Sequence, residues 1–213
     1  MKKVLVFLVL SLLFGSVSFA QVKVGVTAGL NASNFVEDGI EESAFNTNRY
    51  GFLGGLVFDL GITKSFSIIP ELLYIQKGAG ISAESNDGGS IKLSVNLDYV
   101  QIPVNFAYKL NMGSSAKLLL FAGPYFGYAI SGKNTVEAKI NGEKQKESED
   151  VKFGTEDDEM NPLDIGFNIG LGVQVGKGFF KFQVIPGLSN LSNEDTSYKL
   201  NNGGVAFSLG YFF

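Results

Sequence analysis

The chain contains no cysteine, histidine or tryptophan among its 213 residues. Without cysteine it has no disulfide, no thiolate nucleophile and no thiolate metal site. Without histidine it lacks the usual general base and the commonest transition-metal ligand, so we predict a protein that is not an enzyme and uses no cofactor. Lysine and arginine number 17 against 21 acidic residues. This balance argues against a nucleic-acid partner, which would require a basic surface.

A long hydrophobic run is confined to the start of the sequence. Lys2 and Lys3 precede an apolar stretch over 4–14, and Ser18-Phe19-Ala20 supplies the small residues that a signal peptidase reads. The apolar stretch is too short for a transmembrane helix, which needs about 20 residues. We therefore predict a cleaved secretory signal peptide over 1–20 and one domain over 21–213.

Glycine and phenylalanine are abundant, and the sequence ends on an alternating apolar pattern. Large apolar side chains stand at 205, 207, 209, 211 and 213, with Ala, Ser and Gly at 206, 208 and 210. A transmembrane β-barrel ends this way because its last strand closes on its first and faces lipid. Leu209, Tyr211 and Phe213 form the predicted membrane-insertion signal, and the barrel-assembly machinery of the membrane is the expected partner.

Strand-like segments are separated by short and long polar links in alternation. The segments lie near 22–34, 49–62, 66–79, 91–110, 117–132, 163–176, 179–190 and 203–213. Short links at 63–65, 111–115 and 176–178 alternate with long ones at 35–48, 80–90, 133–162 and 191–202. Short periplasmic turns and long extracellular loops are typical of outer-membrane barrels. We predict an all-β, eight-stranded, antiparallel up-and-down transmembrane β-barrel in a cell outer membrane.

The two faces of these segments differ in size and polarity. In 163–176, Ile165, Phe167 and Ile169 share one face, and Asp164 and Asn168 share the other. A membrane barrel turns the apolar face outward, whereas a soluble barrel turns it inward. The alternative is therefore a soluble periplasmic, lipocalin-like barrel that binds an apolar ligand.

The apolar phase of segment 91–110 changes near its middle. Odd positions are apolar up to Tyr99, and even positions are apolar from Val100. We expect a β-bulge near 98–100 combined with a hairpin arm that turns at 86–89. Asn141-Gly142 indicates a similar turn, which would extend the strands on either side of the longest link.

Tyrosines near strand ends and on outward faces predict an aromatic girdle at the membrane boundary. They are Tyr50, Tyr74, Tyr99, Tyr108, Tyr125, Tyr128 and Tyr211.

Polar residues on the predicted inward faces are the candidate site. They are Asp59, Glu71, Lys77, Gln101, Asn105, Asp164, Asn168, Gln174 and Lys181. Buried charges need partners, so one interpretation is a network that plugs the lumen and fixes the strand register. The other is a path for an ion or a small ligand. Eight strands leave little more than side-chain volume inside a barrel, which favours the plug.

The link 133–162 is the most polar segment of the chain. Its cluster Glu156, Asp157, Asp158 and Glu159 is a weak candidate for Ca²⁺, which prefers oxygen ligands. The cluster lacks the spaced acidic pattern of a tight calcium loop. We interpret the link, like the acidic link 35–48, as a solvated surface loop.

Three phrases carry a family resemblance: IIPELLYIQKGAG, YVQIPVNFAYKL and FAGPYFGYAISGK. Together with the leader and the ending FSLGYFF they resemble the PorT-like family of small outer-membrane β-barrels of Bacteroidetes-type bacteria. The resemblance implies an eight-stranded barrel in the outer membrane and implies no activity.

The sequence therefore predicts a barrel with a structural or interaction role. It would contact outer-membrane lipid, display four long acidic extracellular loops and offer them to an extracellular partner. A narrow pore or small-molecule carrier is the alternative that keeps the same fold.

Overall fold

The residues that the structure describes form nine β-strands. The computed structural model describes residues 22–38, 45–84, 89–113, 115–140, 143–156, 159–193 and 199–213. The strands are β1 (Val22–Asp38), β2 (Thr47–Gly61), β3 (Phe66–Glu84), β4 (Ser90–Met112), β5 (Ala116–Ile140), β6 (Glu143–Asp150), β7 (Leu163–Val175), β8 (Gly178–Val184) and β9 (Lys199–Phe212). The predicted signal peptide lies outside the described residues. No described helix is long and apolar enough to cross a membrane.

Eight of the strands close into an antiparallel ring. The ring order is β1, β2, β3, β4, β5, β7, β8, β9, and it closes where β1 pairs with β9 from Gly25↔Phe212 to Asp38↔Lys199. β6 lies outside the ring and pairs with β5. Because a closed ring pairs the strand edges with one another, no edge is left inside the barrel wall. The predicted eight-stranded antiparallel barrel is confirmed.

Three short turns connect strands at the end of the barrel where β1 begins. In the turn after β2, the Thr63 hydroxyl accepts hydrogen bonds from the backbone N–H groups of Ser65 at 3.2 Å and Phe66 at 3.0 Å. In the turn between β7 and β8, Gly176 has φ of 57°, a left-handed conformation that glycine adopts without a steric penalty. These local features reverse the chain tightly and fix the register of the strands that follow.

The apolar face of the ring points outward. Ile165, Phe167 and Ile169 are 43%, 47% and 58% exposed, whereas Asp164 and Asn168 between them are fully buried. The alternating face of β9 behaves in the same way, with Leu209 and Phe213 exposed and Ala206 and Ser208 buried. A soluble, lipocalin-like barrel requires the opposite arrangement, so that alternative is wrong.

Two of the tyrosines assigned to the girdle lie inside the barrel, so the prediction is wrong for Tyr99 and Tyr125. They are 0% and 2% exposed, whereas Tyr50 and Tyr128 are more than half exposed. Tyr99 shares the inward, odd-numbered face of β4 with Gln101. The apolar phase of the sequence changes here because the inward face itself changes from polar to apolar toward the far end of the barrel.

The expected β-bulge is not on β4. All the odd-numbered residues from Leu97 to Lys109 on β4 are buried, so this strand keeps its phase. The register shifts on β5 instead: Asp98 pairs with Ser131 and Tyr99 pairs with Ala129, which leaves Ile130 as the extra residue. The β-bulge expected on β4 therefore lies on the neighbouring strand β5.

Strands β3 to β6 continue beyond the ring as a four-stranded sheet, which we call the arm. It comprises residues 78–84, 90–97, 132–140 and 143–150. The prediction of a hairpin arm built from the third and fourth strands is confirmed by the pairing Glu84↔Ser90. The interpretation of 133–150 as a loop is wrong, because β5 runs to Ile140 and returns as β6. The turn residues 85–88 and 141–142 lie outside the described residues.

The same end of the barrel is covered by irregular segments that pack onto an apolar core. The predicted strand 179–190 is regular only to Val184, and residues 185–187 continue in the wall, hydrogen-bonded to Phe167 of β7 and to Asn202 and Gly204 of β9. Leu191 is fully buried in a cluster with Leu97 and Tyr99, and Phe153 and Met160 pack against it. An apolar cluster of side chains therefore lies inside the barrel at the end where the arm begins.

Candidate functional site

The nine polar residues expected to face inward all lie in the barrel interior. Their exposed fractions run from 0% to 4%: Asp59, Glu71, Lys77, Gln101, Asn105, Asp164, Asn168, Gln174 and Lys181. They come from β2, β3, β4, β7 and β8. Six of them, joined by further residues, form three separate ion-paired groups along the lumen.

The first group lies nearest the arm and is built around Asp164 of β7. Lys77 Nζ lies 2.8 Å from Asp164 Oδ2. The Tyr125 hydroxyl donates to Oδ1 at 3.0 Å, and Asn202 Nδ2 donates to Oδ2 at 2.9 Å. One carboxylate thus accepts hydrogen bonds from side chains of β3, β5 and β9. Charge-assisted hydrogen bonds of this kind are among the strongest in proteins.

The second group lies in the middle of the barrel. Lys181 Nζ of β8 lies 2.5 Å from Glu71 Oε1 of β3. Asn105 Nδ2 of β4 donates to the same oxygen at 3.2 Å. Because the three strands are not all neighbours in the ring, this group crosses the lumen.

The third group lies near the short turns. Lys109 Nζ of β4 lies 2.5 Å from Asp59 Oδ2 of β2. The recess around this pair is also lined by Lys23, Lys64 and Lys117. The opening of the barrel at this end is therefore basic, although the whole chain carries a formal charge of −4.

Aromatic rings shield the two inner lysines. Lys77 Nζ lies 4.4 Å from the centre of the Tyr125 ring, and Lys181 Nζ lies 5.6 Å from the Phe179 ring. Cations are attracted to ring faces, and the attraction is larger where water is excluded. The aromatic rings and the ion pairs therefore lie side by side in the barrel interior.

The buried charges of the barrel balance. Among the described residues, the buried charged side chains are three lysines and three carboxylates, and each lysine is paired with one carboxylate. An unpaired charge at such a position would be strongly destabilising. The arrangement satisfies every buried charge and leaves no net charge to attract an ion into the lumen.

Two amide side chains lie in the lumen without a hydrogen-bond partner among the described residues. They are Gln101 and Asn168, and both polar atoms of each amide are unpartnered. Both residues are fully buried. Buried amides of this kind are commonly satisfied by internal water.

Sequence reasoning missed three residues of the lumen groups: Lys109, Tyr125 and Asn202. Lys109 shares the odd-numbered face of Gln101 and Asn105 on β4, so strand parity could have identified it. Tyr125 is one of the tyrosines near strand ends and on expected outward faces, and its side chain instead lies inside the barrel. Asn202 fell in a predicted link, but β9 begins at Lys199 and carries its side chain inward.

The acidic cluster that was considered for Ca²⁺ is only partly described. Asp157 and Asp158 lie outside the described residues. Glu159 Oε2 accepts a hydrogen bond from the Glu156 backbone N–H at 3.2 Å. No group of three or more metal-ligating side chains gathers within the described ranges.

The predicted insertion signal lies on the outward face of the closing strand. Leu209, Tyr211 and Phe213 are 65%, 49% and 70% exposed. Inward between them, Phe212 packs on Phe179 with ring centres 4.8 Å apart. The end of the chain therefore has an apolar outward face and an aromatic anchor inside.

A closed ring of strands, an apolar outer surface and a polar, charge-balanced lumen agree with the family to which the sequence can be assigned. The family model described as "Outer membrane protein beta-barrel domain" matches residues 19–193. The chain belongs to this family. It is an outer-membrane β-barrel protein.

Solved structures of three bacterial proteins are similar to this outer-membrane barrel. Ail, the attachment invasion locus protein of Yersinia pestis, is 13% identical with a TM-score of 0.44, over 91% of this chain and 99% of that one. Neisserial surface protein A is 12% identical with a TM-score of 0.45, over the same shares. The COG4313 outer membrane channel of Pseudomonas putida F1 is 11% identical with a TM-score of 0.30, over 90% and 95%. No curated protein sequence matches the chain.

Proposed function

We propose that this outer-membrane barrel is a non-catalytic, non-conducting scaffold that presents its arm and loops outside the cell for interaction with a partner. The observation that carries this proposal is the filling of the lumen by three ion-paired groups, together with the extension of four strands beyond the barrel. Because the lumen is filled and four strands extend beyond one end of the barrel, the side chains that a partner can contact lie at that end.

The filled lumen argues against the narrow pore or small-molecule carrier. Asp164, Glu71 and Asp59 each hold a lysine at a different position along the barrel. An ion crossing the lumen would have to displace these lysines one after another. Leu191 and the other residues of the largely apolar cluster at the arm end add a second barrier.

The orientation follows the general rule for outer-membrane barrels. Short turns face the periplasm and long connections face the outside. The arm and the acidic segments around 35–48 and 191–202 would then be extracellular, and the protein would reach the membrane through a cleaved leader and the barrel-assembly machinery. The phrases around Glu71, Gln101 and Tyr125 support a place in the PorT-like group, and they assign no secretion role.

Electrical recording in a planar lipid bilayer tests the proposal. The purified, folded protein is expected to give no stepwise conductance above that of the bilayer alone. A Lys77→Ala/Lys181→Ala variant provides the matched comparison, because it empties two of the three paired positions. Stable unitary conductance steps from the unmodified protein would contradict a closed lumen and favour the pore.

A further inference from the structure

The two faces of the arm continue the two faces of the barrel. On β4, Val100 and Ile102 point outward toward lipid, and Tyr99 and Gln101 point inward. The strand keeps this phase into the arm, so Asn96, Ser94 and Lys92 stand on the outward side. The outward face of the arm therefore rises directly above the lipid-facing surface.

All the lysines of the arm lie on this outward face. Residues that pair directly across strands share a face. Lys92 pairs with Glu137, Glu137 with Lys146, Lys139 with Lys144, and Asn96 with Lys133. The outward lysines are Lys92, Lys133, Lys139, Lys144 and Lys146.

The opposite face carries carboxylates and apolar groups. On β6, Glu147 pairs with Val136 and Glu149 pairs with Asn134, so both glutamates stand opposite to the lysines. On β4 the same inward side carries Ile91 and Leu93. Along β6, Lys144 and Lys146 thus stand on the outward face and the glutamates on the other. Asp150 of β6 and Glu84 of β3 join Glu137 on the outward face, where the cations still outnumber the carboxylates.

Adjoining recesses on the outward face share these cations. Lys146 lines three of them, with volumes of about 410, 380 and 300 Å³. Lys92 lines the first two, and Arg49 of β2 lines the last two. We call this surface the cationic shelf, defined by Arg49, Lys92, Lys133, Lys139, Lys144 and Lys146.

The carboxylate at the centre of the shelf is outnumbered. Lys146 Nζ lies 3.0 Å from Glu137 Oε1. This hydrogen-bonded contact and the nearby charges of Lys92 and Lys144 lower the pKa of the Glu137 carboxyl. Glu137 is therefore ionised near neutral pH and neutralises one of the three lysines around it.

The height of the cationic shelf above the acyl region restricts which lipid headgroups it can contact. On β3 and β5 the last girdle tyrosines lie in the outward row Tyr74–Val100–Tyr128, and Tyr50 of β2 stands higher. Lys133 lies two outward rows above it and Lys92 lies four rows above it, which corresponds to about 10 Å and about 20 Å at the usual barrel tilt. Phospholipid headgroups extend only about 5–8 Å beyond the acyl region.

We propose that the cationic shelf binds the phosphorylated sugar headgroup of a glycolipid in the outer leaflet. Such a headgroup carries anionic groups at the height of the shelf, and it stands beside the barrel because its acyl chains pack on the outward apolar face. Lys133 and Arg49 contact its lower phosphates, and Lys92 and Lys146 contact the upper ones. This inference rests on the extracellular placement of the arm in the proposed function.

Binding of rough lipopolysaccharide with a phosphorylated inner core tests the inference. The folded protein in a neutral detergent is titrated with the fluorescently labelled glycolipid, and the dissociation constant is measured by fluorescence anisotropy. The variant Lys92→Gln/Lys133→Gln/Lys144→Gln/Lys146→Gln is expected to bind at least about tenfold more weakly, because each lysine near an anionic surface contributes to binding. Enzymatically dephosphorylated glycolipid is expected to bind the unmodified protein equally weakly.

The matched control removes the same charge at the other end of the barrel. Lys23→Gln/Lys64→Gln/Lys117→Gln/Lys177→Gln is expected to keep the affinity within about twofold, since its charges lie below the membrane. Both variants must show the gel mobility shift of a folded barrel. Equal losses of affinity in the two variants would overturn the inference, and so would unchanged affinity in the variant that lacks the four arm lysines. Displacement of the labelled glycolipid by phosphatidylglycerol vesicles at an equal phosphate concentration would also overturn the inference, because the short phospholipid headgroup would then be enough for binding.

Failure of this inference is distinguishable from failure of the proposed function. A closed lumen is measured by conductance and does not depend on the charge of the arm. A protein that neither conducts nor binds the glycolipid loses the shelf assignment and retains the scaffold.

Discussion

At the residue scale, Asp164 illustrates how a charge is accommodated inside this barrel. Its carboxylate faces one lysine and two further donors, from three different strands. Each contact offsets part of the cost of removing the charge from water. The same contacts depend on the register of the strands, since a slipped register would leave Asp164 and Lys77 unpaired.

Breaking the Lys181–Glu71 pair should destabilise the barrel more than removing both charges. Lys181→Met fills the space beside Phe179 but leaves the Glu71 carboxylate buried without its cation, and we expect a loss of about 3–5 kcal/mol. In the double variant Lys181→Met/Glu71→Gln no charge remains, and Asn105 can still donate to the new amide. We expect that variant to recover at least half of the loss, measured by urea unfolding in lipid vesicles. Equal unfolding free energies for the two variants would contradict the ion-pair role.

Gly210 on β9 makes room for an aromatic ring. It pairs directly with Phe179 of β8, and a Cβ at this position would lie 2.0 Å from the Phe179 Cζ atom. Gly210→Ala must therefore displace the ring, and we expect it to lower the free energy of unfolding by about 1–3 kcal/mol. Gly54→Ala is the control, because its nearest neighbour would be the Thr27 carbonyl oxygen at 3.5 Å. A Gly210→Ala variant as stable as Gly54→Ala would show that the ring is free to move.

At the scale of the strands, the sequence predicted faces better than boundaries. Period-2 alternation located the inward Asp164 and Asn168 and the outward Phe167, because a side chain in a strand has only two directions. It failed at Tyr99, where the inward face is apolar and imitates a change of phase. It also failed for β6, since the strand EKQKESED has no apolar face to distinguish it from a loop.

The half of the arm that β5 and β6 form should be dispensable for closure of the ring. Lys133 and Asp150 are direct partners, so replacing 134–149 by Asn-Gly leaves a two-residue hairpin turn between them. We expect this variant to fold and to migrate differently on a detergent gel before and after boiling. Deleting the single residue Gly170 is the contrast, because it inverts the faces for the rest of β7. If the arm deletion abolished the mobility shift as the Gly170 deletion should, the arm would be part of the barrel fold.

At the scale of the whole molecule, the fold was predictable and the partners of the lumen groups were not. The alternation of short and long links, together with the apolar pattern at the end of the sequence, predicted the ring of eight strands. Pairing of Lys77 with Asp164 requires knowing how β3 and β7 lie across the lumen, and strand order alone does not give this. The segments 151–156 and 188–193 have no repeating pattern, so the packing of Phe153 and Leu191 at the end of the barrel could not be predicted from the sequence.

The direction of the apolar face is the central claim, and the absence of tryptophan allows a direct measurement. A single tryptophan is introduced at outward Phe167 or at inward Phe121, and its fluorescence is recorded in vesicles of brominated phospholipid, which quenches by contact. Phe167 is 47% exposed and Phe121 is 4% exposed. We therefore predict strong quenching for Phe167→Trp and little quenching for Phe121→Trp. Stronger quenching at 121 than at 167, or no quenching at either position, would contradict a barrel whose apolar face meets lipid.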